Sequence, residues 1–236
     1  MKYPIIPYRI FPLGDSAVTV DFDNSIDEKL NDDILKRVRH LRLNPPEGMI
    51  EVTPAYSSFT VYYDVMALRR SDSSKTSSFE LIKKQLEEFM LQSLPDDLTN
   101  NRMIEVPVCY SEEFAPDIEK LAVTKNLSVE EVIQIHLSGN YKVYMLGFLP
   151  GFAYMGKVDE RISMPRKTKP ENVMSGSVGI AGTQTGIYPL TSPGGWHIIG
   201  RTLLKLFDKE KEDSVLLKPG DKVRFTSISK HEFENY

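Results

Sequence analysis

Apolar residues in the first half of the chain recur with two different periods, and each period predicts one type of element. The stretches from Ile26 to Leu41 and from Phe79 to Met90 carry apolar residues on one face at the helical period. They predict two amphipathic helices that bury that face. Ser25 and Ser77 precede these stretches, and each is followed three residues later by glutamate, as in a capping box. We therefore expect the helices to begin next to these serines.

Alternating apolar and polar residues predict two pairs of strands, one before each helix. The resulting order is strand, strand, helix, strand, strand, helix, which is typical of an antiparallel sheet with helices on one face. The predicted strands are Arg9 to Leu13, Ala17 to Phe22, Met49 to Pro54 and Phe59 to Tyr63.

In the second half, the helical period continues briefly and then gives way to short strands. A strand is predicted from Met103 to Val108, and helices are predicted from Asp117 to Thr124 and from Ser128 to Leu137. Beyond Lys142, short apolar stretches between Gly and Pro turns predict a closed or nearly closed β-barrel. Its predicted strands are Val178 to Ala181, Trp196 to Arg201, Leu203 to Phe207 and Lys222 to Ile228.

A polar segment separates these two patterns. Residues 95–102 (PDDLTNNR) contain a proline and few apolar side chains, as is typical of a domain boundary. We therefore predict a small N-terminal α/β domain over residues 1–98, built on the antiparallel sheet, and a barrel domain over residues 99–236. The predicted fold class is α+β.

Composition narrows the class of protein. Hydrophobic residues make up 41% of the chain and charged residues 26%, as in soluble globular proteins. A formal net charge of -4 argues against a nucleic-acid partner, which usually requires a basic surface. The uncharged apolar run from Val143 to Gly156 is too short to span a bilayer. A single cysteine, Cys109, and the lack of a signal-peptide pattern predict a protein of the reducing cytoplasm, with no membrane partner.

Several common catalytic and metal-binding motifs are missing from the sequence. The four histidines show no ligand spacing with one another or with Cys109, and no HExxH or CxxC occurs, so no metal site is expected. The sequence also contains no Walker A loop, no Rossmann fingerprint and no GxSxG elbow. Catalytic residues are therefore not assigned from motifs.

The stretch from Tyr141 to Thr202 contains most of the chain's 14 glycines, interleaved with aromatic residues. A polar-edged aromatic surface on a turn-rich scaffold suits a small-molecule site. Gly176, Gly179 and Gly182 within this stretch have two interpretations. They form turns of the barrel, or their backbone N–H groups form a nest that binds an anion.

Two arginines, a glutamine, two aromatic residues and a histidine are the candidates for substrate binding. A guanidinium group binds carboxylate or phosphate at two points, although an ion-pair role is the alternative. The glutamine and the aromatic residues would orient a small planar polar substrate, with core packing as the alternative for the tryptophan. For the histidine the alternative is a buried, hydrogen-bonded role. The candidates are Arg166, Gln184, Tyr188, Trp196, Arg201 and His136.

Three motifs in this order, YMLGFLPGFAYMG, GSVGIAGTQTGIYP and SPGGWHIIGRT, resemble those of a known family. It includes the B subunit of prokaryotic 5-oxoprolinase, the sporulation histidine-kinase inhibitor and the protein called allophanate hydrolase subunit 1. The resemblance extends over nearly the whole chain, with GDSAVTVDF near the start and LLKPGDKVRF near the end. It implies two domains, of which the second is a cyclophilin-like β-barrel.

The resemblance also implies a function. Family members of the oxoprolinase type act with two partners, the paralogous C subunit of 5-oxoprolinase and its A subunit, and the complex uses ATP to hydrolyse 5-oxo-L-proline to L-glutamate. This chain would then be an enzyme subunit that is inactive alone. Two family alternatives stay open: a regulatory protein that binds and inhibits a sensor histidine kinase, and a subunit that hydrolyses allophanate or another urea derivative. Prolyl isomerisation rests on the barrel alone, and a fold does not carry a function.

Overall fold

The computed structural model describes residues 7–23, 26–71, 76–95 and 102–235. The chain divides into two compact units, Met1–Thr99 and Asn100–Tyr236. The boundary predicted between residues 98 and 99 lies outside the described residues, and so does Ser25, the residue next to which the first helix was predicted to begin.

A four-stranded antiparallel sheet forms the base of the N-terminal unit, as the alternating pattern predicted. Its strands are β1 (Arg9–Pro12), β2 (Ala17–Asp21), β3 (Met49–Pro54) and β4 (Ser58–Tyr63). Their spatial order is β1-β2-β4-β3. Val18, Val20 and Val61 point to the same face and belong to one buried core, because alternate residues of a strand face the same side.

Three helices cover that face of the sheet: α1 (Glu28–Leu43), α2 (Val65–Ser71) and α3 (Ser78–Met90). The two long helices were predicted from their apolar period, and the short α2 was not. Asp27 caps α1, since its carboxylate accepts the Leu30 N–H at 2.8 Å. Ser77 caps α3, as predicted.

A closed barrel of seven strands forms the centre of the C-terminal unit. The barrel strands are β5 (Met103–Cys109), β6 (Tyr141–Leu146), β7 (Ala153–Gly156), β9 (Ser177–Ala181), β10 (Gln184–Ile187), β12 (His197–Arg201) and β13 (Lys222–Ile228), while β8 (Glu171–Val173) and β11 (Ser192–Gly194) form a separate pair. The order around the barrel is β10-β7-β6-β13-β5-β12-β9. Strands β5 and β13 pair in parallel, and the other neighbours are antiparallel. The α+β fold class and the barrel are therefore confirmed.

The helices of this unit are α4 (Ile118–Lys125), α5 (Val129–Leu137) and the short α6 (Lys230–Glu234). The predicted capping box of α5 is present, with the side chain of Ser128 bonded to the N–H of Glu131 and the carboxylate of Glu131 bonded back. The strand predicted from Leu203 to Phe207 is wrong. Phe207 makes only an isolated bridge there, to Val215.

The barrel wall has two apolar faces with different roles. Val178, Ile180 and Ile187 point inward and join the main core of the unit. Ala181 and Ile198 belong to a second cluster, on the outer face of the wall formed by β12, β9, β10 and β7. Because side chains alternate across a strand, the wall separates the core from this outer cluster.

Candidate functional site

Four aromatic side chains form a continuous packed cluster on the outer face of the barrel wall, which we call the aromatic floor. Phe152, Tyr188 and Trp196 are buried, and Tyr154 is half-buried. The ring centroid of Phe152 lies 4.8 Å from that of Tyr154, 5.2 Å from that of Tyr188 and 5.4 Å from that of Trp196. All three contacts are edge-to-face, an arrangement that aromatic rings prefer. The aromatic floor is therefore a tightly packed layer of rings.

Glycines in the wall leave room for these rings. A Cβ atom at Gly186 would lie 3.0 Å from Phe152 and 3.1 Å from Trp196, and one at Gly179 would lie 3.1 Å from the Cβ of Trp196. Both glycines belong to paired strands and face each other in register. Glycine is needed at these positions because aromatic rings pack directly against the backbone there.

Arg166 lies beside the aromatic floor in a segment held at both flanking residues. The N–H of His197 Nε2 donates to the carbonyl of Pro165 at 2.9 Å, and the backbone N–H of Lys167 donates to the carbonyl of Gly195 at 2.8 Å. The Arg166 side chain is exposed and makes no hydrogen bond or ion pair with the described residues. Its guanidinium group is available for an anion.

A buried ion pair strengthens this attachment. Lys167 Nζ lies 2.7 Å from Asp117 Oδ2 and 2.5 Å from Glu171 Oε2. Asp117 also accepts the backbone N–H of Ile198 at 2.7 Å. Burial alone would lower the pKa of Lys167, but its hydrogen bonds to Asp117 and Glu171 raise it, so the lysine stays charged. Residues 165–171 are thereby tied to β12.

The electrostatics of the tyrosines place the Arg166 charge near the aromatic floor. Burial raises the pKa of Tyr188, while a hydrogen bond from the Trp196 backbone and the charge of Arg166 act in the opposite direction. Burial likewise raises the pKa of Tyr154, and Arg166 again opposes it. The guanidinium group therefore acts on both hydroxyls.

Gln184 and Arg201 lie at opposite ends of the same wall. Gln184 begins β10 and faces outward like Gly186, and its half-buried side chain makes no hydrogen bond with the described residues. The Nε–H of Arg201 donates to the carbonyl of Ser175 at 2.9 Å. The structure brings Arg166, Tyr188 and Trp196 together, with Gln184 on the same face, while Arg201 is engaged in holding a turn.

The glycine nest is not formed. The N–H of Gly176 donates to the carbonyl of Tyr188 at 2.7 Å, and the N–H of Gly182 donates to the carbonyl of Met164 at 2.5 Å. Gly179 lies in the central strand β9, between paired residues of β10 and β12. These N–H groups serve the barrel's own turns and strands, so the anion-binding interpretation is corrected.

His136 is placed in the barrel core, away from the aromatic floor. Tyr110 Oη lies 2.8 Å from its Nδ1, and Thr185 Oγ1 lies 3.2 Å from its Nε2. Because the Thr185 hydroxyl donates to the carbonyl of Gly179, it must accept from Nε2–H, which leaves Nδ1 to accept from Tyr110. Burial lowers the pKa of His136 to about 3. The buried alternative describes this residue, and a substrate contact does not.

Sequence reasoning did not assign a site role to three residues that build the site, since Phe152 and His197 were placed only within the glycine-rich stretch and Lys167 was not named. They come from separate segments, and no spacing in the sequence links them. Only the density of aromatic residues among glycines pointed to the region. As assembled, the site places the exposed Arg166 guanidinium group, the half-buried Gln184 amide and the half-buried Tyr154 ring along a buried aromatic floor. These groups together suit a small planar molecule that carries a carboxylate.

Fold and site define an α+β protein with a closed barrel and a candidate ligand site on its outer wall. The sequence matches the family described as carboxyltransferase domain, subdomain C and D, over residues 8–217, and the chain belongs to this family. The resemblance inferred from the three motifs is confirmed.

Its relatives include the B subunit of the Bacillus subtilis (strain 168) 5-oxoprolinase, which is 42% identical over 233 residues and is aligned over 98% of this chain and 97% of the relative. The B subunit of the Escherichia coli O157:H7 5-oxoprolinase is 36% identical over 92% of this chain and 94% of the relative. A conserved uncharacterised protein from Pyrococcus horikoshii has a crystal structure with a TM-score of 0.55, 42% identical over 95% of this chain and 100% of that chain.

The described part of the chain lacks two classes of feature. No helix there is long and apolar enough to cross a membrane. The same residues contain no group of three or more His, Cys, Asp or Glu side chains that could hold a metal ion.

Proposed function

We propose that this chain is the B subunit of an ATP-dependent 5-oxoprolinase, which converts 5-oxo-L-proline to L-glutamate together with a paralogous C subunit plus an A subunit. The observation that carries the proposal is the 42% identity to the Bacillus subtilis relative. Because the alignment covers 98% of this chain and 97% of that relative, the likeness is not confined to a shared barrel.

The chemistry of the site supports this substrate. 5-Oxoproline is a small ring that contains a planar amide and carries one carboxylate. Arg166 offers the carboxylate an exposed guanidinium group that has no hydrogen-bond or ion-pair partner among the described residues. The half-buried ring of Tyr154 offers an apolar contact at the edge of the aromatic floor, and Gln184 offers an amide donor to the lactam oxygen. Donors placed at that oxygen would stabilise the negative charge that develops when the amide is attacked.

ATP would be held by one of the partners. The N–H groups of Gly176 and Gly182 are already bonded to carbonyls, so this glycine-rich segment does not fit a phosphate group. The proposed division of labour leaves substrate positioning to this chain and makes it inactive alone. The single cysteine is consistent with a complex that acts in the cytoplasm.

Reconstitution tests the proposal. This chain and the A and C subunits from the same host are purified separately, mixed, and assayed for glutamate released from 5-oxoproline with and without ATP. We expect release only when this chain, both partners and ATP are present, and no turnover of allophanate by the same mixture. Full activity after omission of this chain, or turnover of allophanate instead of 5-oxoproline, would contradict the proposal.

A further inference from the structure

Phe148 has a backbone conformation that side chains other than glycine rarely adopt. Its φ is +69°, and the N–H of Leu149 donates to the carbonyl of Gly147 at 2.8 Å across it, which closes a three-residue turn. Positive φ strains any residue that has a Cβ atom, and such strain persists where the surrounding structure imposes it, often at ligand sites.

Burial does not explain why a phenylalanine occupies this position. The side chain is 60% exposed, although its ring is apolar. The exposed ring stands perpendicular to the rings of Phe152 and Tyr188, with centroids at 5.6 and 6.3 Å and interplanar angles of 89° and 87°. Phe148 thus projects from the edge of the aromatic floor into solvent.

The loop that carries Phe148 is held in place. The N–H of Gly147 donates to the carbonyl of Phe152 at 3.2 Å, and the N–H of Phe152 donates to the carbonyl of Leu149 at 3.0 Å. Gly151 has φ +82° and packs so closely that a Cβ atom there would lie 3.0 Å from the Leu206 carbonyl oxygen. The ring is therefore presented by an ordered turn.

Arg166 borders the same floor from a different segment. Its neighbours Pro165 and Lys167 are bonded to His197 and Gly195, and its charge acts on the hydroxyl of Tyr188, the tyrosine whose ring Phe148 contacts. A strained, exposed aromatic ring and a cation that has no hydrogen-bond or ion-pair partner in the described ranges thus lie around one tyrosine.

We propose that Phe148 and Arg166 form a two-point ligand clamp on the outer barrel wall, in which the Phe148 ring covers the face of a small planar lactam and Arg166 binds its carboxylate. The clamp rests on the proposed function for the identity of the lactam, and it makes Phe148 a specificity-determining contact. The contributions of Phe148 and Arg166 to binding can be told apart. Loss of the Phe148 ring weakens binding of any such lactam, whereas loss of the Arg166 guanidinium weakens binding only of lactams that carry a carboxylate.

A kinetic experiment on the reconstituted complex tests the role of Phe148. We expect Phe148→Ala to raise the KM for 5-oxoproline about tenfold and to change kcat by less than about twofold, because the ring contributes binding that substrate and transition state share. Phe148→Tyr keeps the ring and should restore a KM near that of the wild type. Phe11→Ala is the matched control, since Phe11 is 40% exposed in β1. Equal KM values for Phe148→Ala and Phe11→Ala would overturn the clamp and leave the proposed function standing.

A binding experiment on the full chain tests the division between the two residues. Trp196 is the single tryptophan and belongs to the aromatic floor, so its fluorescence reports on this site. We expect 5-oxoproline to change the emission saturably and pyrrolidin-2-one, which lacks the carboxylate, to bind about tenfold more weakly, as expected for loss of a charged contact. Arg166→Ala should abolish that difference, and Phe148→Ala should weaken both ligands, with Arg224→Ala as an exposed control.

The two experiments also separate the two proposals. A wild-type complex that releases no glutamate contradicts the proposed function, and the fluorescence titration then decides the clamp by itself. Emission that neither lactam changes in the wild-type chain would then overturn the clamp as well. Equal affinity of both lactams for the wild-type chain would overturn the carboxylate contact of Arg166.

Discussion

Single residues around the site carry strain or charge that their local sequence does not require. Phe148 has φ +69° with an exposed ring, and Lys167 pairs with a buried aspartate. Each is unfavourable in isolation: the first strains the backbone, and the second removes charges from water. Their common effect is to fix groups around the aromatic floor, and each gives a measurable consequence for stability.

At position 148 the usual order of stability of alanine and glycine should be reversed. In the left-handed region a Cβ atom costs about 1 kcal/mol, whereas glycine adopts φ +69° without strain. We expect Phe148→Gly to be more stable to urea than Phe148→Ala by about 1 kcal/mol. At Phe11, whose φ is not positive, the alanine variant should be the more stable of the two. An alanine variant that is the more stable at both positions would contradict the strain.

Removal of the Lys167 charge should destabilise the protein strongly. Lys167→Met leaves the buried carboxylate of Asp117 without its cation, and breaking a buried pair costs about 3 kcal/mol. The matched control is Lys230→Met, because Lys230 pairs with Glu113 at a position where both side chains are at least half exposed, and water screens such a surface pair so that it contributes little to stability. Urea unfolding followed by Trp196 fluorescence measures the loss of stability in each of the two variants. Equal losses for the two variants would show that Asp117 tolerates a missing partner.

At the scale of elements, β9 and β10 contribute both to the barrel core and to the site, because their inner and outer faces carry different residues. The inward residues Ile180 and Ile187 complete the barrel core, and the outward glycines Gly179 and Gly186 receive the aromatic floor. Large side chains on both faces would leave no room for Trp196 and Phe152. The glycines of these strands therefore couple barrel packing to the shape of the site.

Adding one methyl group to this wall should disturb the site. The Cβ atom of Gly186→Ala would lie 3.0 Å from the Ala153 carbonyl oxygen and 3.1 Å from the Trp196 ring, so ring or backbone must shift, at a cost of about 1–3 kcal/mol. We expect a changed Trp196 emission spectrum and a lower urea midpoint. Gly195→Ala is the control, because the nearest atom to its Cβ would be the Lys167 carbonyl oxygen at 3.6 Å. An unchanged spectrum for Gly186→Ala would contradict the tight fit.

At the scale of the whole molecule, each of the two units has a hydrophobic core of its own. The core of the C-terminal unit encloses a hydrogen-bonded polar network that runs from Tyr110 through His136 and Thr185 to the Gly179 carbonyl. The ring of His136 also stacks on that of Phe225, with centroids 4.5 Å apart. A neutral histidine satisfies every bond of this network, and a protonated one cannot accept from Tyr110.

The polar network should make the C-terminal unit sensitive to mild acid. The pKa of His136 is about 3 in the folded protein against an ordinary 6.5, so the unfolded form binds a proton as the pH falls through 6.5 and the folded form does not. Stability is therefore complete above pH 6.5 and is lost below it, by about 2 kcal/mol between pH 7 and pH 5. Urea unfolding monitored at Trp196 measures this loss.

Most carboxylates stay ionised in the chosen pH window, so their titration contributes little to the change. His231→Gln, at an exposed residue, should keep the same pH dependence. Replacement of His136 by phenylalanine removes the titrating group and should flatten the dependence, whatever its effect on overall stability. A wild-type stability that does not change from pH 7 to pH 5 would contradict the neutral, buried state of His136.

The sequence by itself determined the features that depend on local periodicity. The period of apolar residues predicted α1, α3, α4 and α5, because a helix or strand that buries one face must repeat its apolar residues at a fixed spacing. Three long motifs identified the family. The same local reasoning missed α2, added a strand from Leu203 to Phe207, and assigned Ser25 as a cap where Asp27 is observed, since element ends depend on single contacts.

The composition of the site was decided by the tertiary structure. His136 and Arg166 are both polar residues near apolar ones in the sequence, yet the first is enclosed in the barrel and the second is exposed beside the aromatic floor. Gly176 resembles an anion-binding loop in sequence, and its N–H is committed to Tyr188. The physical reason is that the availability of a side chain or an N–H group depends on which distant strand lies against it. The register of the closed barrel determines which residues become neighbours in this way.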